Sequence, residues 1–262
     1  MTVVASIRQG SELLLHEVAE VLSRVELGRH IVIGGWCPVL RSQSRIFHPG
    51  TIDVDVLFEE GHRPGQLAPL FFEFKALGYG ISAKHGFQLL RDITVNGERV
   101  LFNVDILHPM MSEDSGNLFQ DHLELDVPID EDERRLKKMV SIVQPNSRVL
   151  FEEQLYSDFA IGKETISLVD FTGMYLTKID SCQKAKRERD SLDLLIAIDS
   201  NGVDFEKIAD LRGRNDRIDA SCSKFEKFLI EERATFDENV SKFADLEYSP
   251  ADRILSAARE KI

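Results

Sequence analysis

Acidic residues alternate with apolar residues in two short segments of the chain. In residues 52–56, a two-residue period places Asp53 and Asp55 on one face of a predicted strand. In residues 102–106, the same alternation places Asp105 on a polar face. Adjacent strands would bring the three carboxylates around one point, where their mutual repulsion calls for a cation. Hard oxygen ligands of this kind suit Mg²⁺. We therefore predict these three aspartates as catalytic residues and as magnesium ligands.

Alternation alone is also typical of strands whose outer face is acidic and carries no chemistry. A neighbouring segment favours the catalytic interpretation. Residues 30–33 form an apolar run that ends at Gly34 and Gly35, ahead of a predicted helix. Glycine lets the backbone approach a phosphate, and a helix N-terminus supplies NH donors. We predict that both glycines bind the phosphates of a nucleoside triphosphate, although a tight strand-to-helix turn would also select glycine.

Helical and strand patterns are mixed in the first half of the chain. Apolar residues spaced as on one helix face follow Ser11, the predicted N-cap. Asn96-Gly97 is a strong signal for a hairpin turn. The predicted elements are helices over residues 11–27 and 67–77, and strands over residues 30–33, 51–58, 87–95 and 99–107. From about residue 130 the pattern is mainly helical, with helices predicted over residues 168–185, 189–198, 205–211 and 225–232.

The two glycines, the Asp53-x-Asp55 pair and Asp105 together resemble the glycine motif, the DxD pair and the third carboxylate of the nucleotidyltransferase superfamily. The resemblance implies an α+β fold, with a mixed sheet and flanking helices in residues 1–128 and a mainly helical C-terminal domain in residues 129–262. Many superfamily members carry Ser where Gly35 stands. Thr51 is the predicted replacement for that phosphate-binding hydroxyl.

A narrower likeness extends from Gly34-Gly35-Trp36 through Arg45 and His48 to the DxD pair. This stretch is similar to the GGW…R…H…DxD stretch of aminoglycoside and lincosamide nucleotidyltransferases. The loop before the DxD pair is slightly longer here, which leaves the equivalence of His48 open. Trp36 and His48 are residue types that more often pack in a core than carry chemistry.

The second half of the chain resembles a different group. Lys178, Arg187, Arg189-Asp190 and Asp193 are similar to the K…R…RD…DL helices of AbiEii-type toxin nucleotidyltransferases. In that group the lysine contacts nucleotide phosphates, and a downstream aspartate supports the site. The resemblance therefore implies Lys178 as a triphosphate ligand and Asp190 or Asp193 as a supporting carboxylate. The alternative is an ordinary pair of helices joined by ion pairs.

Charge and composition limit the partners of this protein. With 32 basic and 45 acidic side chains, the net charge of −13 disfavours broad coating of nucleic acid. Basic residues gather in 134–138 and 184–189, which we interpret as solvated helix faces. No apolar run is long enough to span a membrane, and no export signal is apparent. The three cysteines are far apart, which favours neither disulfides nor zinc and makes a reducing cytoplasm the expected location.

The predicted reaction is magnesium-dependent transfer of a nucleotide monophosphate from a nucleoside triphosphate such as ATP to an acceptor hydroxyl or phosphate. The acceptor class stays open between a small molecule, tRNA and protein. A toxin-like enzyme with an antitoxin partner is the first interpretation, and an antibiotic-modifying enzyme is the alternative. A non-catalytic nucleotide-binding module, or a purely structural cation site, is the alternative outside the enzyme class.

Overall fold

The structure is a computed structural model that describes residues 2–59, 67–82, 86–109, 122–125 and 139–260. The chain divides into two compact units. The first unit comprises Met1–Trp36, Gly50–Glu152 and Tyr156–Leu168, and the second comprises Cys37–Pro49, Glu153–Leu155 and Val169–Ile262. The predicted domain boundary after residue 128 lies outside the described residues and stays a prediction.

A mixed β-sheet forms the first unit. The described strands are β1 (Thr2–Val4), β2 (His30–Ile33), β3 (Asp53–Phe58), β4 (Gly80–Ile81), β5 (Gln88–Val95), β6 (Glu98–Pro109), β7 (His122–Leu125), β8 (Met139–Gln144), β9 (Tyr156–Ile161) and β10 (Glu164–Val169). They join in one ten-stranded sheet whose main path runs β1-β5-β6-β3-β2-β10-β9. Strand β3 is parallel to β6 and antiparallel to β2. The mixed sheet of the predicted α+β fold is therefore confirmed.

The turn between β5 and β6 has the predicted hairpin geometry. Asn96 and Gly97 both adopt positive φ angles, 49° and 86°. Two successive residues with positive φ are required by the tight turn whose twist matches that of the flanking strands. The turn fixes the register in which Val95 pairs with Glu98. This register determines which side chains of the two strands lie side by side.

The first unit also contains the helices α3 (Ala68–Ala76), α4 (Arg148–Glu152) and, near its start, α1 (Ile7–Arg24). Its N-cap is Ser6, whose side chain accepts a hydrogen bond from the backbone NH of Gln9. The predicted N-cap, Ser11, lies within the helix, where its hydroxyl donates to the carbonyl of Ile7 at 3.0 Å. The prediction was wrong because Ser11 can satisfy its hydroxyl inside a helix, and an equivalent serine stands five residues earlier.

The second unit is mainly helical. The mainly helical pattern predicted from about residue 130 was wrong for residues 139–169, which contain β8, β9 and β10. A short helix α2 (Trp36–Arg41) follows the glycine turn, and the other helices are α5 (Phe171–Lys178), α6 (Glu188–Asp199), α7 (Phe205–Arg214), α8 (Asp216–Glu231), α9 (Arg233–Ser241) and α10 (Pro250–Glu260). Its core contains edge-to-face contacts of Tyr175 with Phe205 and Phe225, at centroid distances of 5.7 and 5.9 Å.

None of the described helices combines the length and apolarity that a membrane crossing needs.

Helix α5 is shorter than the predicted helix over residues 168–185. It begins after Asp170, whose carboxylate accepts a hydrogen bond from the NH of Gly173 at 2.7 Å. Leu168 belongs instead to β10. Apolar residues buried on a strand and on the following helix produced one continuous pattern, which periodicity alone cannot divide.

Candidate functional site

Polar side chains lie in two rows on one face of the sheet, across strands β3, β6 and β5. The registers place Asp55 beside Asp105, and Asp105 beside Gln88. The neighbouring row contains Asp53 and Asn103, with the apolar Leu90 at the corresponding position of β5. Alternate residues Val54 and Val104 point to the opposite face and are fully buried. The structure therefore places Asp53, Asp55 and Asp105 on one face, as the alternation predicts.

Neutral donors orient two of the three carboxylates. Gln88 Nε2 donates to Asp105 Oδ1 at 3.0 Å, and Asn103 Nδ2 donates to the same oxygen at 2.6 Å. The hydroxyl of Thr51, predicted to bind phosphate, donates to Asp53 Oδ1. Each interaction fixes the rotation of a carboxylate without adding charge. The side chains are thus held in position before any ligand is present.

The third carboxylate packs directly against the glycine turn. Gly34 has a φ of +77°, and a Cβ atom built on it would lie 2.0 Å from Asp55 Oδ2. Both the backbone conformation and the approach of Asp55 exclude a side chain here. Trp36 is buried, and its Nε1 donates to the backbone carbonyl of Asp53 at 2.8 Å. Trp36 therefore packs against the start of β3, in agreement with the structural interpretation of this residue.

Replacement of Gly34 by Ala is expected to destabilise the protein more than replacement of Gly97 by Ala. Both glycines have positive φ, but a Cβ on Gly97 would meet nothing within 4 Å. Gly97→Ala should therefore show the backbone cost alone, about 1–3 kcal/mol, whereas Gly34→Ala adds displacement of Asp55. Urea unfolding of both variants measures the difference. Equal losses of unfolding free energy would show that Asp55 moves away from Gly34 at no cost.

The carboxylates of Asp53, Asp55 and Asp105 are suitable ligands for a metal ion, but they are not arranged as a complete coordination site. Within the described parts of the chain, no group of three or more His, Cys, Asp and Glu side chains is arranged to hold a metal ion. Three carboxylates on adjacent strand positions nevertheless have the chemistry that Mg²⁺ prefers. Asp53, Asp55 and Asp105 would be the carboxylate ligands of such an ion.

A second cluster of predicted residues is assembled within the second unit. Lys178 Nζ lies 2.5 Å from Asp190 Oδ1 and 2.7 Å from Asp193 Oδ2. His48 Nε2 lies 2.8 Å from the other oxygen of Asp193. Ser181 Oγ donates to Asp190 Oδ2 at 2.7 Å. The structure therefore brings together residues that the sequence connects only through two separate resemblances.

This Lys178 cluster, consisting of His48, Lys178, Ser181, Asp190 and Asp193, is buried. Lys178 is 8% exposed and Asp193 is 0% exposed. Burial lowers the pKa of Lys178, but the carboxylates of Asp193 and Asp190 outweigh this effect and hold that pKa above its ordinary value. Burial likewise raises the pKa of Asp193, yet Lys178 and His48 hold it below the ordinary value. Lys178 and Asp193 are therefore both charged at neutral pH.

The lowered pKa of Asp193 gives the stability of the protein a defined pH dependence. Stabilisation by its carboxylate is fully present above the unfolded pKa, about 4, and is lost as the pH falls through the lower folded pKa. The difference in unfolding free energy between wild type and Asp193→Asn should therefore shrink between pH 7 and pH 3. Urea titrations at several pH values measure it, with Asp245→Asn at an exposed position as the control. A difference independent of pH would contradict the ionised state of Asp193.

Two residues of the site were not predicted from the sequence. Gln88 and Asn103 contact Asp105, but neither residue belongs to the glycine motif, the DxD pair or the third carboxylate. The alternation that singled out Asp105 also places Asn103 on the same face, two residues earlier. For Gln88, the hairpin at Asn96-Gly97 supplies the register, because counting outward from the turn pairs residue 88 with residue 105.

The structure describes only one of the two basic segments that were predicted as solvated helix faces. Residues 134–138 lie outside the described residues. Lys184, Lys186 and Arg187 are exposed, as expected for a solvated surface, but residues 181–187 form turns instead of a helix face. Lys186 has a φ of 68°, which a continuous helix does not allow. The prediction of a helix through residue 185 was therefore wrong at this end.

Comparison with known proteins adds one structural likeness. The chain resembles a crystal structure of an antigenic nucleotidyltransferase-like protein from Paracoccidioides brasiliensis. The TM-score is 0.43 and the sequence identity is 11%, with 92% of this chain and 96% of that chain covered. No protein-family model and no curated protein matches the chain. The functional assignment therefore rests on the residues of the site itself.

Proposed function

We propose that this protein is a magnesium-dependent nucleotidyltransferase. The observation that carries the proposal is the direct cross-strand pairing of Asp55 with Asp105, beside a glycine turn that Asp55 contacts. Like charges at paired strand positions destabilise a sheet unless something neutralises them. A divalent cation would supply that neutralisation, and it could also bind the phosphates of a triphosphate. The resemblance of the glycine motif, the DxD pair and the third carboxylate to nucleotidyltransferases supports the same interpretation.

Each site residue has a proposed role. Asp53 and Asp55 would hold Mg²⁺, which when bound neutralises charge on the triphosphate and on the departing pyrophosphate. Gly34 and Gly35 would bind phosphate oxygens through main-chain NH groups. Asp105 would either complete a second magnesium site or accept a proton from the acceptor hydroxyl. Thr51 would act through Asp53, since its hydroxyl already donates to that carboxylate.

The proposed reaction transfers a nucleoside monophosphate. An oxygen of the acceptor forms a bond to the α-phosphorus of a nucleoside triphosphate, such as ATP, and the bond between that phosphorus and the bridging oxygen breaks. Pyrophosphate leaves with the bonding electron pair. The acceptor proton passes to Asp105 or to water. The products are a nucleotidylated acceptor and pyrophosphate.

The role of the Lys178 cluster is a separate part of the proposal. The resemblance to AbiEii-type toxins implies that Lys178 binds triphosphate, with Asp190 or Asp193 in support. In the structure, both carboxylates already contact Lys178. A phosphate oxygen would therefore either take the third N–H donor of Lys178 or displace one of the two carboxylates. The same lysine is also a structural ion-pair partner, so its two roles need separate measurements.

For the acceptor, we propose a toxin-like enzyme that modifies RNA or protein, and we place it in the cytoplasm. An antitoxin would then be a natural partner. The alternative is an antibiotic nucleotidyltransferase. The negative net charge of the chain would then favour a cationic small molecule as the acceptor. The two acceptor classes differ in size, so the labelled product distinguishes them.

The proposal is tested by incubating the protein with Mg²⁺, each of the four labelled ribonucleoside triphosphates and a cell extract. Parallel incubations replace the extract with aminoglycosides or lincosamides. Label in RNA or protein supports the toxin-like enzyme, and label in the drug supports the antibiotic-modifying enzyme. The Asp55→Asn variant is the matched control. Absence of label from every wild-type incubation, or equal label with the variant, would overturn the proposed function.

A further inference from the structure

Gln88 is the amide partner of Asp105 on the neighbouring strand. The register pairs Gln88 with Asp105 directly. Its Nε2 lies 3.0 Å from Oδ1 and 3.4 Å from Oδ2 of that carboxylate. Both side chains are half-buried, so the contact is only partly open to water. An amide that approaches both oxygens restricts the rotation of the carboxylate about its Cβ–Cγ bond.

Asn103 completes this arrangement from the strand that carries Asp105. Its Nδ2 donates to Oδ1 at 2.6 Å, from a position two residues earlier on the same face. Asp105 is therefore held by donors from β5 and β6, whereas Asp55 lies at the paired position on β3. Removing either donor would let the carboxylate turn away from the face that it shares with Asp55.

We infer that Gln88 is a positioning residue that orients Asp105 for the proposed nucleotidyl transfer. The inference rests on the proposed function, because it assigns Gln88 a role through Asp105. Gln88 has no charge, and its amide donates to Asp105. Partners of this kind typically change metal affinity or activity by about 10- to 100-fold when they are removed.

The decisive variant is Gln88→Leu, which keeps the approximate size of the side chain and removes the donor. We expect kcat to fall by about 10- to 100-fold, with the triphosphate Kd changed by less than about twofold. Thr94→Val is the matched control, since Thr94 lies on the same face of β5 and pairs with Arg99, away from the carboxylates. Urea unfolding of both variants verifies that they are folded.

A double-mutant cycle separates positioning from a general structural effect. If Gln88 acts through Asp105, Gln88→Leu should have little further effect on kcat in an Asp105→Asn background. Mn²⁺ affinity of the nucleotide-free protein, measured by electron paramagnetic resonance, gives a readout independent of turnover. Gln88→Leu and Asp105→Asn should weaken Mn²⁺ binding together or leave it unchanged together.

The inference is overturned if Gln88→Leu turns over like wild type, or if its effect is undiminished in the Asp105→Asn background. A change of Mn²⁺ affinity in only one of the two variants would overturn it as well. These results leave wild-type transfer intact, so the proposed function would survive them. Absence of transfer by wild type, in contrast, removes the proposed function and this inference with it.

Discussion

Asp55→Asn is expected to lower kcat/KM for nucleotidyl transfer by about 10³-fold or more, while the protein stays folded. Bound metal ions contribute several kcal/mol of transition-state stabilisation, and about 1.4 kcal/mol corresponds to tenfold in rate. An amide has nearly the shape of the carboxylate but cannot supply the anionic ligand. Asp53→Asn should behave in the same way, because Asp53 stands two residues away on the same face.

Steady-state kinetics of the two variants, with circular dichroism to verify folding, measure this expectation. The matched control is Asp92→Asn. Asp92 lies on the same face of β5 as Gln88, but it stands opposite Leu101 and its carboxylate forms a salt bridge with Arg99 near the hairpin. Its replacement should leave turnover within about twofold of wild type. Wild-type turnover in excess EDTA, or variants that retain activity, would contradict the metal role of these carboxylates.

The same substitution should stabilise the metal-free protein. Asp55 and Asp105 occupy directly paired positions on adjacent strands, and like charges at such positions are unfavourable by about 0.2–1 kcal/mol. Removing one charge in EDTA should raise the free energy of unfolding by this amount. Mg²⁺ should reverse the order, because the ion stabilises only the protein that retains its ligands. A face that binds no ion would show the gain in EDTA but no reversal by Mg²⁺.

The carboxylate face could be predicted because its determinants are local. A two-residue period fixes the side of the sheet on which Asp53, Asp55 and Asp105 lie, whatever the rest of the chain does. The Asn96-Gly97 turn fixes the pairing of β5 with β6 in the same local manner. The partners across strands are harder to predict. That Gln88 meets Asp105 follows only once the hairpin register is counted, and the parallel pairing of β3 with β6 has no sequence signal of its own.

The division between strand and helix around residue 170 shows a different limit. Leu168 and Val169 at the end of β10 are buried, and so is every residue of α5. Amphipathic periodicity appears only where one face of an element meets water, so a fully buried strand and a fully buried helix present the same apolar run. The decisive signal was the Asp170 side chain, which caps α5. An aspartate inside an apolar run is the type of signal that marks such a boundary.

Lys178→Met is expected to reduce the free energy of unfolding by about 3–5 kcal/mol, the usual cost of removing one partner from a buried ion pair. Lys178 neutralises two carboxylates at once, and Asp193 has no exposed surface. Lys184→Met, at an exposed position, should change stability by less than about 0.5 kcal/mol. The double variant Lys178→Met/Asp193→Leu should recover part of the loss, since it removes a buried charge together with its partner.

Triphosphate affinity then decides whether Lys178 has a second role. If Lys178 contacts a phosphate, Lys178→Met should weaken binding by about 1.5–3 kcal/mol, the scale of a hydrogen bond to a charged group. Calorimetry below the unfolding transition measures this loss independently of stability. Asp190→Asn is the informative control, because it disturbs the same ion-pair network but retains the lysine. Weaker binding in Lys178→Met alone would assign the lysine to the nucleotide. Wild-type affinity and turnover in Lys178→Met would remove the helical unit from the proposed site and leave Lys178 as the buried counter-ion of Asp190 and Asp193.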